Sequence, residues 1–229
     1  MMPHLDTFLY AFLGGILPAI VWLIFWLRED KNNPEPKRLI ALTFILGMVS
    51  VIFVLPFQKI VDNQFPNMVM AAIVLWVILE EVFKFIAGYM GGLSSVEDNE
   101  PIDPLIYMIT AALGFSALEN ALFIFQPLLL EDTVLGIITG NLRFVGASLL
   151  HVVSSGIIGA ALGFSFYQPT IKRIPIVSLA VALAIVFHLT FNLFIIHFGE
   201  TGTMMALGMV WTGVVVILLA FEKTKYLKV

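Results

Sequence analysis

The sequence predicts an all-α, polytopic membrane protein of about seven transmembrane helices, and three observations carry that reading. Of its 229 residues 60% are hydrophobic and only 12% charged, against roughly 25% charged in a soluble domain. Apolar stretches close to the ~20 residues that cross a bilayer as a helix recur at 5–27, 39–57, 67–90, 104–126, 143–167, 174–198 and 203–221. The basic residues are unevenly shared between the connections. With the N-terminus outside, regions 28–38, 91–103, 168–173 and 222–229 lie inside. They hold Arg28, Lys31, Lys37, Arg38, Lys172, Arg173, Lys223, Lys225 and Lys228, nine of the twelve basic residues. That bias toward the cytoplasm orients membrane proteins, so the C-terminus is expected to be cytoplasmic.

Each segment has its own justification. The first follows "MMPHLD", which carries no basic n-region, and its apolar run is long with no small-residue cleavage site after it. It is expected to stay as an anchor. The second, like the seventh, has no ionisable side chain in its apolar interior. The third contains "LEEVFKF", with Glu80, Glu81 and Lys84 near its middle. "EDNEPID" at 97–103 reads as a solvated acidic connection. The fourth carries Glu119 and Asn120 in "FSALEN". "DTVLGIITGN" at 132–141 is too short to span alone. It is either an interfacial or re-entrant piece or the outer extension of a tilted fifth helix, with Arg143 an interfacial anchor.

The fifth segment carries His151, Ser154 and Ser155 in "LLHVVSS", and the sixth has His188 and Asn192 in "HLTFN". Ser155, Gly159 and Gly163 recur every fourth residue, a small-residue stripe that admits a close neighbour. There is no cysteine, hence no disulfide and no thiolate ligand or nucleophile. No basic or aromatic pattern points to nucleic acid.

The costly residues therefore cluster in four consecutive helices. Each ionisable group at the bilayer centre costs roughly 2.5–3.5 kcal/mol on insertion scales. A rise of about 1.5 Å per residue sets Glu80, Glu81, Glu119, His151 and His188 in one layer between the midplane and the outer leaflet. One converging polar site is the economical reading. Glu80 and Lys84 share a helix face, as do His188 and Asn192, so Glu80 and Lys84 are expected to pair. Glu81 then needs a partner elsewhere.

Amide hydrolysis suits such a set. It needs a general base for water and N–H donors for the developing oxyanion; adjacent carboxylates supply the first, and a histidine with an asparagine one turn away the second. A zinc ion is the other route, the set able to hold it being Glu81, Glu119, His151 and His188. The HExxH pattern is absent, so one divalent metal and none are both open.

"EEVFK", "FSALEN", His151 and "HLTFN", in that order, resemble the PrsW family of intramembrane proteases, which is related to the type II CAAX prenyl proteases. The resemblance covers about residues 68–195. It implies a single integral-membrane peptidase domain over 1–229, buried in a bacterial or archaeal cell membrane and glutamate-dependent. Its substrate would be a membrane-anchored protein, such as an anti-sigma factor. Carried over, Glu80 and Glu81 are the paired glutamates, one of them the base that activates water, with Glu81 favoured because Glu80 has Lys84 four residues on. His188 and Asn192 are the oxyanion pair and His151 the histidine between them, and Lys84, Glu119 and Asn120 support them. Relative to the prenyl proteases, Lys84 stands one position before their arginine and Glu119 where they have histidine. Two other classes compete. A membrane-embedded zinc hydrolase of lipid amides would want three deep histidines, and a transporter or proton relay would want inverted repeats and broken helices.

Overall fold

The computed structural model describes residues 4–31 and 33–227 (of His4, the backbone only); Lys228, counted above among the inner basic residues, lies outside them. They form α1 (His4–Leu27), α2 (Lys37–Gln64), α3 (Val69–Gly88), α4 (Asp103–Leu129), α5 (Thr133–Leu142), α6 (Ser148–Phe164) and α7 (Thr170–Thr224), with no strand among the described residues. Five stretches are long and apolar enough to cross a membrane: Leu5–Asp30, Lys37–Gln64, Asp103–Leu129, Thr133–Phe164 and Thr170–Thr224. Helix α3 has 20 residues, but Glu80, Glu81 and Lys84 make it the most charged of the apolar segments.

The bundle is built around α4. Every residue from Asp103 to Ala117 is buried, so this half of the helix has no lipid-facing side, and α4 packs against α1, α2, α3, α5 and α6. Apolar surface gives helices little reason to associate in lipid; close van der Waals packing does. Glycines make it close here. Gly47 of α2 lies against the Ala111 carbonyl and Gly114 of α4 against the Phe44 carbonyl. The predicted stripe on α6 works likewise, with Gly159 against the backbone of Pro104 and Leu105 and Gly163 against the Pro101 carbonyl.

Two departures from regular helix shape the site. Residues 132–141 extend the fifth predicted helix at its start: α5 runs through a π-helical turn, Arg143–Ala147, straight into α6. Asp132 caps α5, its carboxylate accepting from the Leu135 amide at 2.9 Å. In α7 the backbone leaves helical geometry at Gly199, with φ 53°, a left-handed value that glycine adopts without penalty. The chain folds back there. Phe187 and Gly213 touch, although 26 residues of straight helix would hold them roughly 39 Å apart.

A side chain at Gly114 has nowhere to go, whereas Gly208 faces open space. Gly114→Val is expected to lower the thermal midpoint in detergent by the equivalent of about 1–3 kcal/mol or more. Gly208→Val, of equal β-branching cost, should leave it within the ~0.5 kcal/mol of an ordinary surface change; equal losses in both would refute the packing argument.

Candidate active site

Helices α3, α4, α6 and α7 bring the predicted residues together. Lys84 is fully buried. Its ammonium donates to Glu81 Oε1 at 2.7 Å and to Ser154 Oγ at 3.1 Å, and contacts His151 Nδ1 at 3.2 Å. The expected pairing of Lys84 with Glu80 is thus replaced by pairing with Glu81, three residues away. Both spacings put two side chains on one helix face. The choice is made by His151 and Ser154 on α6, which draw the ammonium toward the Glu81 side.

Glu80 turns the other way. Its Oε1 accepts from Gln58 Nε2 of α2 at 2.9 Å, and its Oε2 is buried without a hydrogen-bond partner. His188 stands between the two glutamates, Nδ1 at 2.6 Å from Glu81 Oε1 and Nε2 at 3.6 Å from Glu80 Oε2. Gln58 lay just past the second apolar stretch, where a polar residue looks like ordinary boundary.

The network fixes proton positions. An ammonium only donates, so His151 Nδ1 accepts from Lys84 and His151 Nε2–H donates to Glu119 Oε2 at 3.1 Å. Glu81 already accepts from Lys84, so it is an acceptor for His188 Nδ1–H as well. That leaves His188 Nε2 with a lone pair turned toward Glu80. These tautomers are assigned from the hydrogen bonds.

Arg143 belongs to this layer, which corrects its reading as an interfacial anchor. The guanidinium bonds Glu119 through one NH₂ group, and its Nε donates to Asn120 Oδ1 at 2.5 Å. It lies over the Phe123 ring at 3.9 Å from the centroid, and its side chain is 16% exposed. Asn120 is held in turn by Ser116 and Ser148, at 3.1 and 2.9 Å from its Nδ2. The signal that could have found Arg143 was the unpaired Glu119, a carboxylate at depth that needs a cation.

A cavity of about 340 Å³ opens on this network. Glu80, Glu119, Arg143, His151, His188 and Asn192 supply its polar lining, and Ile73, Trp76, Phe191 and Ile196 are among its apolar walls. Ile196 is over half exposed and marks the mouth, beside the first turns of α3. Glu81 and Lys84 do not line the cavity; they sit behind its wall. The Asn192 amide, half-buried, has no protein hydrogen-bond partner among the described residues.

The donor set suits a metal of the zinc class. Glu80, His151 and His188 each offer a ligand atom within 4.8 Å of the others, and the orphaned Glu80 Oε2 lies 3.6 Å from His188 Nε2. Each imidazole has a carboxylate on its other nitrogen, Glu81 for His188 and Glu119 for His151, the support typical of metal-bound histidines. Glu81 and Glu119 are therefore placed as partners of the histidines. Because Lys84 holds His151 Nδ1, a metal on that nitrogen and the Lys84 contact exclude each other.

Comparison with known proteins identifies the family of the chain. Residues 35–221 match the model of the PrsW family of intramembrane metalloproteases. Protease PrsW of Halalkalibacterium halodurans is 26% identical over 66% of this chain and 66% of its own length. That of Geobacillus kaustophilus is 24% identical over 67% of this chain and 64% of its own, so the chain spans just under two thirds of the length of these relatives. Protease PrsW of Clostridioides difficile is 27% identical over 82% and 78%. No solved structure is detectably similar. With its long apolar helices the protein is integral to a bacterial membrane, and the chain belongs to the PrsW family of intramembrane proteases.

Proposed function

We propose that this protein is an intramembrane endopeptidase that hydrolyses a peptide bond of a membrane-anchored protein, with Glu80 as the base that activates water. The unpaired, buried Glu80 Oε2 facing the cavity carries this reading. A carboxylate with a free oxygen is what a water needs in order to lose a proton as it attacks a carbonyl. Glu81, favoured from the spacing of Glu80 and Lys84, has its Oε1 occupied by Lys84 and His188; its Oε2 is also without a partner, but Glu81 does not line the cavity. Its work is to hold His188 in the tautomer that keeps Nε2 open beside Glu80.

The cavity supports the remaining steps. As water adds, Glu80 takes its proton, and negative charge develops on the former carbonyl oxygen. Asn192 and Arg143 line the cavity with N–H donors for that oxygen. His188 contributes as a donor only when its Nε2 is also protonated, so the pair with Asn192 expected from their spacing is supplemented by Arg143. Collapse of the intermediate breaks the C–N bond, and protonated Glu80 returns its proton to the leaving amine. A zinc-class ion held by Glu80, His151 and His188 would instead displace the Lys84 contact on His151 and take up a Glu80 oxygen, and would supply an acidified water and a polarised carbonyl in place of Glu80 as the base.

The apolar mouth beside Ile196 suits a helical substrate arriving from the lipid, and the bias of basic residues supports a site nearer the outer face. A membrane-anchored regulator such as an anti-sigma factor fits both. Two histidines, not three, reach the cavity among the described residues, which leaves the lipid-amide alternative without support.

New protein N-termini near transmembrane segments should appear in membranes from cells carrying the wild type and vanish with Glu80→Gln, a loss of at least about 10²-fold. Undiminished termini in Glu80→Gln would remove that residue as the base. Arg143→Lys keeps the charge but loses the planar fork; turnover should fall by roughly 10²–10³-fold, the range for one lost oxyanion donor, and wild-type turnover would exclude the role.

Lys84 tests the scaffold separately. Removing one partner of a buried pair costs about 3–5 kcal/mol, so Lys84→Met should lower the thermal midpoint steeply. Adding Glu81→Gln should recover part of the loss. Additive losses in the double variant would show that the pair is not coupled.

A further inference from the structure

A second group of buried carboxylates lies far from the cavity, where the α1–α2 connection meets the start of α4. Asp30 ends the turn after α1, Glu35 stands two residues before α2, and Asp103 opens α4. They are 5%, 9% and 0% exposed, and each brings an oxygen within 4.8 Å of the other two. Asp103 Oδ2 accepts from the Asn99 and Glu100 amides at 2.8 and 2.7 Å. The Tyr107 hydroxyl donates to Glu35 Oε2.

Two oxygens remain over. Asp30 Oδ2 and Asp103 Oδ1 are buried with no hydrogen-bond partner. No lysine or arginine pairs with any of the three among the described residues, and nearby Lys225 is taken by Glu29 and Glu222 at 2.8 and 2.6 Å. Burying ionised carboxylates without a partner is prohibitively costly; such groups are neutralised or bind a cation. The donors are all oxygen, with no histidine or cysteine in the group. Carboxylate oxygens select hard ions over zinc or copper.

We propose that Asp30, Glu35 and Asp103 form a binding site for a hard divalent cation of the magnesium or calcium class, separate from the active site. The two oxygens without partners supply its open positions. Bound there, the cation ties the 28–36 connection to the first turn of α4, the helix that carries Glu119 and Asn120. The bundle is then stabilised in proportion to how far the free cation exceeds its dissociation constant.

The test is thermal unfolding of the purified full-length protein in detergent, first in chelator and then titrated with Mg²⁺ or Ca²⁺. One of the two should raise the midpoint saturably, by roughly 5–10 °C at a hundredfold excess over the dissociation constant. The same rise should occur in His188→Ala, which dismantles the active-site donors, and it should be lost in Asp103→Asn. Since Asp103 also organises residues 99–100 and its variant can fail to fold, Asp30→Asn serves as the second probe. No saturable rise in the wild type, or an undiminished rise in Asp30→Asn, would overturn the proposal. So would a midpoint indifferent to both cations that falls as pH rises toward about 8, the value to which burial pushes Glu35. A shared proton would then hold the group together.

Discussion

The buried ammonium of Lys84 is the constraint on which the site depends. A lysine head group with no water around it must spend all its donors on the protein. Here it does so on Glu81 of its own helix and on His151 and Ser154 of α6. Those contacts set the rotamer of Glu81, the tautomer of His151 and the distance between α3 and α6. Glu81 then orients His188, and His151 in turn donates to Glu119, which Arg143 neutralises. From one cation the chain of partners reaches four helices and ends at Glu80, whose second oxygen is left over.

Much of this was legible in the sequence because charge is expensive in lipid. Glu80, Glu81, Lys84, Glu119, His151 and His188 stand out against segments of Leu, Ile, Val and Phe, and a rise of about 1.5 Å per residue was enough to put them in one layer. The helices fall where the apolar runs fall, and the small-residue stripe of α6 packs as its spacing implies. What spacing could not decide was which of two near-equivalent neighbours Lys84 takes. The i+3 and i+4 positions are both within reach, so the answer came from α6, a contact across about seventy residues. Gln58 and Arg143 escaped for a related reason. Each lies at the edge of an apolar run, where a polar side chain has a sufficient explanation in the interface. The π-helical turn at Arg143–Ala147 left no mark in the periodicity either, since it adds only one residue to a continuous helix. Such turns are frequent at functional sites.

The buried half of α4 explains how two polar groups coexist in one small apolar bundle. The helix has no lipid face between Asp103 and Ala117, so what it positions at either end is fixed by protein rather than by the bilayer. At one end Glu119 and Asn120 lock Arg143 against the cavity. At the other, Asp103 gathers the loop before it and meets Asp30 and Glu35. The close glycine contacts with α2 keep the two ends in register, because bulk at Gly47 or Gly114 would push the backbones apart.

Two adjacent glutamates on one helix gain different roles by this arrangement. They differ by about 100° around the helix axis, which in a lipid-facing segment would matter little. In α3 that rotation turns Glu81 toward a lysine and a histidine and Glu80 toward Gln58 and an open space. Each keeps one buried oxygen without a partner, but only Glu80 lines the cavity. The pull of α6 on Lys84, more than the spacing of the motif, therefore decides which carboxylate is left facing the cavity.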